Sequence, residues 1–524
     1  MKKIYKLLFT AAIVASSATS CSDFLDQPIL GKENLDTYFQ TEEECLKQVT
    51  GCYQSLFSDG WWQIQAPYVG FEMSSDDLWM GNTNQSQADW YDMSHYMNSK
   101  KNGPLSNFWQ YRYKGILRSN VVIERTPGAP LEESLRNRII GEAKFTRAFH
   151  YFDLAKNFGG VPLVTGLLMP NELVGITRAS LEDTYAFIEQ DLKDAIASLP
   201  LKSEYSTSDL GRATKGAAMG YLAKIYLYQE KYKEAETYLD SIVASKEYEL
   251  LPEFKDVWTI ASNNSIESLF EIQYKYEQGY YIGNSFTIFT GSRNDSGWSW
   301  GQPTSDLENA YINAGDTERL KWTIIKHGDD VAGDPDAKNY EIKPSEHKSA
   351  RIIRKYYVPK AERPEKDYNT DKIPLNYRLM RYADILLMQA EVKNALGKDA
   401  EAREALNQVR GRVNLPEVTA SGDELRQAIR LERRLELAYE NQRLYDIRRW
   451  TDTNGKKVIC NLFGKNGSFV IYNTVTSTDP YETTNQGERS DKGINFQEDR
   501  DLVFPIPENE VTRSNGSIAQ NPNF

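Results

Sequence analysis

Across residues 376–450 apolar side chains recur at helical spacing: Ile385, Met388, Ala395 and Leu396, then Ala402, Leu406 and Val409, then Leu431, Leu435 and Ala438. Steps of three, four and seven put each set on one side of a 3.6-residue helix, so the stretch predicts three consecutive helices. Gly397 parts the first two, and Gly411 with Pro416 ends the second. The same period predicts helices starting at Thr41-Glu-Glu-Glu and spanning 105–125, 131–158 and 181–199, the last capped by Ser180 and stopped by Pro200.

Residues 215–243 read as a helical hairpin with Ala223, Ala235, Leu239 and Ile242 at successive offsets of 12, 16 and 19. Ala390, Ala402, Leu406 and Val409 repeat those offsets. Small residues at the first two positions let paired helices approach closely, which is the spacing of a tetratricopeptide-type repeat. Elsewhere the period fails. Residues 61–102 and 253–368 collect Gly, Asn, Ser, Asp and aromatics and read as long irregular segments, with short strand-like pieces at 268–273 and 351–357. Past Trp450 the prolines of Leu502-Val-Phe-Pro-Ile-Pro507 predict an extended tail lying on the body.

The pattern therefore predicts a mainly α fold. Tetratricopeptide-like hairpins form a scaffold, and a long loop-rich region carrying a few short strands supplies the ligand-binding face. A leader over 1–20 would precede one domain, 21–524. Its parts are an N-terminal portion to about residue 250, an insert over about 251–370, C-terminal helices over 376–450 and the tail 451–524.

Charge and cysteines narrow the setting. The net charge is −12 although the first twenty residues carry three lysines and no acid, which argues against a nucleic-acid or anionic-membrane surface. Lys2 and Lys3, an apolar run over 4–14 and the small residues before Cys21 have the layout of a bacterial secretory signal. The run is too short to cross a bilayer. Cys21 after small residues also looks like a lipoprotein cleavage site, and several acyl chains on it would anchor the mature chain stably. Cys45 and Cys52, seven apart on a helix, are about 10 Å apart in rise and cannot bridge, so buried free thiols are expected.

Several blocks together resemble the SusD/RagB family of outer-membrane nutrient-binding lipoproteins. They are Cys21-Ser-Asp-Phe-Leu-Asp26, Glu142-Ala-Lys-Phe-Thr-Arg-Ala-Phe-His-Tyr-Phe152 and Arg381-Tyr-Ala-Asp-Ile-Leu-Leu-Met-Gln-Ala-Glu391, then Glu432-Arg-Arg-Leu-Glu-Leu-Ala-Tyr-Glu440 with Asp446-Ile-Arg-Arg-Trp450, and Phe504-Pro-Ile-Pro507 with Gln520-Asn-Pro522. The resemblance covers essentially the whole mature chain. It implies a lipid anchor at Cys21, a place on the outer cell surface, and a SusC-type TonB-dependent transporter as partner. Family members usually capture glycans and some, RagB-like, take peptides; no enzymatic activity and no cofactor is implied.

A sugar offers apolar C–H faces and a rim of hydroxyls, so a glycan site needs flat aromatic platforms flanked by amide, carboxylate and guanidinium groups. Two loop regions hold both. One gathers Asp76, Asp77, Trp79, Asn82, Asn84, Gln85, Trp90 and Tyr91; the other gathers Tyr280, Tyr281, Arg293, Asn294, Asp295, Trp298, Trp300 and Gln302. Trp298 and Trp300, at i and i+2, would share a face of an extended segment and serve as platforms, with Asp77 and Arg293 reading the rim. The competing reading is that these tryptophans pack loops onto helices.

Enzymatic readings find little support. The four histidines, His95, His150, His327 and His347, include no pair at helical metal spacing, and His150 reads as packed. A secreted glycoside hydrolase using Asp76 and Asp77 stays as a remote alternative, since 74 acids make such pairs common by chance. The run from Asp329 to Asp336 fits no standard calcium loop and reads as a solvated turn. Arg433, Glu436 and Arg448 are expected to tie helix to helix.

Overall fold

In a computed structural model the described residues are 38–57, 65–80, 87–169, 171–280, 282–342, 349–365, 372–469 and 491–524. Among them run seventeen α-helices and six short strands. In chain order they are α1 (Glu42–Phe57), α2 (Gln65–Met73), β1 (Leu78–Trp79), α3 (Ala88–Ser94), α4 (Gly103–Arg125), α5 (Glu133–Phe158), α6 (Leu181–Ser198), α7 (Lys215–Tyr228) and α8 (Tyr232–Ser245). The insert contributes β2 (Ser268–Ile272), α9 (Phe286–Thr290), β3 (Gln302–Pro303), α10 (Ser305–Asn313), α11 (Thr317–Thr323), β4 (Ile324–Lys326) and β5 (Arg351–Ile353). Then come β6 (Tyr377–Arg381), α12 (Tyr382–Ala395), α13 (Asp399–Gly411), α14 (Gly422–Glu436), α15 (Arg443–Arg449), α16 (Val458–Leu462) and α17 (Glu508–Arg513).

Helix starts follow the capping residues. Thr41 Oγ1 accepts from the Glu44 amide at 3.2 Å while the Glu44 carboxylate accepts from the Thr41 amide at 3.0 Å, a reciprocal capping box at the start of α1. Ser180 accepts from the Asp183 amide at 2.9 Å, and Gly159 ends α5 at φ 79°. Helices α4 to α8 pack each on the next, and α12, α13 and α14 continue the stack directly from α8. The repeat positions seal it: Ala223, Ala235, Leu239 and Ile242, and Ala390, Ala402, Leu406 and Val409, are all buried.

The insert leaves the stack after α8 and rejoins it before α12. Its two ends pair, β2 running antiparallel to β6 with Ile272 opposite Tyr377 and Ser268 opposite Arg381. This corrects the prediction of helix from residue 376: Tyr377–Arg381 is a strand buried throughout, and helix begins only at Tyr382. The third predicted helix is also two. Leu437 ends α14, and left-handed Tyr439 and Asn441, at φ 65° and 56°, turn the chain before α15.

Residues 61–102 are less irregular than their pattern predicts, because α2 and α3 lie there. From Ala66 to Met73 every residue of α2 is buried, and a helix buried on all sides has no polar face to mark its period. In the insert, α10 and α11 also escape the pattern, although Thr304 and Asp316 cap them. Asp334, read as part of a solvated turn, is buried and accepts from the Tyr357 hydroxyl at 2.7 Å and the Lys360 amide at 2.9 Å.

Buried charge knits the C-terminal helices together. Arg381 meets Glu436 at 2.6 Å, Glu440 at 2.8 Å and Glu267 at 2.9 Å; Arg319 meets Glu432 at 2.6 Å and Glu436 at 2.9 Å; Arg412 pairs with Glu267 and Glu436. All seven side chains are shut off from solvent. Arg433 spans from α14 to Asp384 of α12 and Asp446 of α15, each at 3.0 Å. Arg448 differs from its predicted role: it reaches the tail, donating to the Asp501 carbonyl at 3.2 Å and lying over Phe504. The tail's Phe504 and Ile506 are buried on the body, but the tail is not extended throughout: α16 and α17 lie within it.

Cys45, Cys52 and Cys460 are free and buried, and burial pushes the Cys52 thiol up to about 12. His150 is packed where α4 and α5 cross at Gly115: its ring bonds Ser55 at 2.7 Å and Arg112 at 3.2 Å. Burial first, then the Arg112 charge, keep it neutral.

Candidate functional site

The two aromatic loop regions, far apart in sequence, form one structure. Strand β1 pairs antiparallel with β3, setting Trp79 opposite Gln302, and the Thr304 amide and hydroxyl bond the carbonyls of Asp77 and Asp76 at 3.0 and 2.8 Å. The ring of Trp90, on α3, lies 5.3 Å from that of Trp300. Phe289 of α9 stacks on Trp300 at 5.4 Å and 6°, and Trp298 leans on both.

Local backbone geometry builds this wall. The amides of Trp298, Ser299 and Trp300 bond the carbonyls of Ile288, Gly291 and Phe289 at 2.6, 2.9 and 2.7 Å, folding 297–300 back over α9. The fold-back is tight enough that a Cβ on Gly297 would come within 2.2 Å of the Gly291 backbone. Ser299 is left-handed at φ 56°, so the segment is not extended and the two tryptophans do not form a coplanar pair. Their rings meet at 55° and 4.9 Å. Trp300 is only 3% exposed and Trp90 is buried beneath it, whereas Trp298 and Trp79 are half-buried at the edge of the cluster. The exposed-platform reading is corrected for Trp300 and Trp90: they are the base of the wall, and Trp298 and Trp79 are its accessible members.

Asp77 needs the same correction as a rim reader. Its carboxylate is wholly buried and accepts from Arg434 at 2.7 Å, beside Asp76, which Arg443 holds through two bonds of 2.8 and 2.7 Å. Burial raises both acids. For Asp76 the Arg434 and Arg443 charges win and hold it well below the usual carboxylate range. For Asp77 burial wins with help from Asp76, so it is raised to about 6. The pair clamps the loop before β1 onto α14 and α15. Nearby, Glu72 at the end of α2 is buried with no cation paired to it among the described residues, and burial with the Asp77 charge raises it to about 8.

The remaining predicted residues divide by exposure. Tyr280 is 61% exposed and Arg293 is exposed, both free to meet a ligand from solvent. Asp295 is held, accepting from Arg363 through two bonds of 2.9 Å and from the Tyr340 hydroxyl at 3.2 Å, so it fixes the 293–295 turn. Asn294 donates to the Glu341 carbonyl at 3.1 Å. Cys21, Asn82 and Tyr281 lie outside the described residues, with Asn84 and Gln85. Sequence reasoning missed Arg363, Tyr340, Arg434 and Arg443, which position the loops; their only signal is a charge or hydroxyl far along the chain.

The arrangement can bury an apolar ring face against Trp298 or Trp79 and bond hydroxyls with Arg293 and Tyr280. Among the described residues no group of three or more His, Cys, Asp or Glu is placed to hold a metal ion, and no helix is long and apolar enough to cross a membrane.

A helical-repeat scaffold carrying an aromatic loop wall defines the class: a binding module of the tetratricopeptide-like kind. Two family models match: one described as the SusD family over residues 266–524, and one described as starch-binding associating with outer membrane over residues 23–227. The chain belongs to the SusD/RagB family. SusD-like protein P2 of Formosa agariphila is 25% identical over the full length of both chains, and a SusD-like protein of Bacteroides ovatus is 27% identical over 84% of this chain and 82% of its own. Among solved structures, a laminarin-binding SusD-like protein superposes with a TM-score of 0.74 at 26% identity, covering 93% of this chain and all of the other. Surface glycan-binding protein A from Bacteroides thetaiotaomicron, solved with laminarihexaose, shares the fold with a TM-score of 0.71 at 21% identity over 92% and 99%.

Proposed function

We propose that this protein is a cell-surface carbohydrate-binding lipoprotein, anchored through Cys21, which captures oligosaccharide and passes it to a SusC-type TonB-dependent transporter in the outer membrane. The observation that carries the reading is the β1–β3 pairing, which merges two separate aromatic loops into one wall with Trp298 and Trp79 at its open edge. Trp298 is the sugar platform, Trp79 a second contact, and Arg293 and Tyr280 read the hydroxyl rim. A solved structure named for laminarin binding and a matching family model described as starch-binding support a glycan ligand, and the outer-membrane wording of that model supports the location. Capture is non-covalent throughout, and the released sugar is chemically unchanged.

Isothermal titration of the intact protein against β-glucan, α-glucan and peptide panels tests the reading. One glycan should bind, and Trp298→Ala and Trp79→Ala should each weaken it about tenfold. Binding of peptides alone would replace the glycan assignment, and unaltered binding in both variants would move the site. Cys21→Ala should shift the protein out of the membrane fraction, and the transporter should co-purify with the acylated form.

A further inference from the structure

The scaffold holds a second cavity that none of the aromatic loop elements build. It has a volume of about 420 Å³ and lies between the ends of α7 and α12, the face of α14, and the hairpin after α15 where Thr451 bridges Lys457. That volume is in the range of small-molecule pockets, about 300–1,000 Å³.

Its cations are what set it apart. Arg449, in the wall, is satisfied by Glu391 at 2.5 and 2.7 Å, and Arg426, at the rim, by Asp423. Arg430 and Lys457 are not matched in this way. Among the described residues neither has a carboxylate within ion-pair distance; Arg430 donates to the Thr451 carbonyl at 2.9 Å and Lys457 to the Arg449 carbonyl at 3.0 Å. Arg430 is half-buried, its guanidinium propped 5.0 Å over the ring of Trp450, which Glu391 pins through the indole N–H at 2.8 Å. The fork is thus held in place with donors to spare. Tyr228 and Tyr232 add half-buried aromatic surface to the same wall.

We propose that this cavity is a second ligand site, for a carboxylate carried on a small polar molecule. Arg430 takes the carboxylate, Lys457 supports it from the hairpin, and the tyrosines cover the body of the ligand. Glu230, Asp423 and Asp452 also line the cavity, so the site disfavours a dianion such as phosphate. The carboxylate has two possible sources, a uronic acid unit of a saccharide or a free organic acid. The site is separate from the aromatic wall, and its test does not depend on which glycan the wall binds.

The experiment is titration calorimetry and saturation-transfer NMR on the intact protein with methyl glucuronoside, its neutral counterpart methyl glucoside, and the monocarboxylate lactate. At least one carboxylate probe should bind at least about tenfold tighter than methyl glucoside, and more weakly as salt is raised. The glucuronoside alone points to a saccharide source and lactate alone to an organic acid. Arg430→Gln should abolish the preference and Lys457→Gln should reduce it about threefold; Lys457 lies on the hairpin, so its variant still reports if loss of the Arg430–Trp450 stack unfolds the other. No preference for either carboxylate over the neutral sugar, or a preference untouched by Lys457→Gln and by Arg430→Gln in folded protein, would overturn the proposal.

Discussion

The C-terminal helices and the aromatic wall both bury side chains that usually face water, and they do so for different ends. Around Glu436 the buried groups are charged, and each arginine finds two or three carboxylates across different elements. In the wall the groups are tryptophans, of which Trp90 and Trp300 are covered while Trp298 and Trp79 are only half-buried. Charged residues, the usual candidates for chemistry, here make fold. Aromatic residues, the usual candidates for core, here divide between core and recognition, and exposure alone tells which is which.

The sharpest way to break this contrast is Arg381→Met, which leaves Glu267, Glu436 and Glu440 buried without their shared partner. It should cost on the order of 5 kcal/mol of stability, read by urea unfolding, because stranding buried charge costs more than a well-packed replacement returns. A loss below about 1 kcal/mol would mean the network is not structural. Trp300→Ala should come next, at about 4 kcal/mol, since it removes a buried ring packed against both Trp90 and Phe289. If stability hardly changes while glycan affinity falls, Trp300 belongs with the recognition residues.

Glu72 tests the boundary between the two regions. Its folded-state pKa of about 8 lies above the unfolded carboxyl value, so its contribution is fully present below about pH 4 and is lost as pH rises through 8. Glu72→Gln, which cannot titrate, should therefore gain on the parent by about 3 kcal/mol between pH 5 and pH 8. Parallel stability profiles for the two proteins would show that Glu72 is ionised in the fold. The smallest effect belongs to the exposed rim: Arg293→Ala should change stability by less than about 0.5 kcal/mol, and only ligand affinity should respond.

What could be read from sequence depended on range. The hairpin offsets at Ala223 and Ala390, the Thr41 box and the Ser180 cap act within a few turns of chain, and the structure follows them. Helix α2 was invisible because burial on every side erases periodicity. Asp77 was misplaced for a different reason: a loop carboxylate defaults to solvent, and the arginine that buries it sits 357 residues later. The aromatics of the second region are legible in the sequence, but their division into base and edge depends on the left-handed Ser299 and the fold-back over α9, which a spacing of two residues does not encode.

The pairing of β2 with β6 has a further consequence. Because the ends of the insert are held together there and α8 stacks directly on α12, the intervening chain is a closed loop hung from a finished scaffold. The entropy of closing such a loop grows only with the logarithm of its length, about 0.6 kcal/mol for each doubling. Longer loops between Ile272 and Tyr377 should therefore cost the fold little, provided Arg319 still reaches Glu432 and Glu436 and β3 still pairs with β1. Such a protein can change what it grips by varying the loops of one segment while its helices, and whatever docks on them, remain as they are.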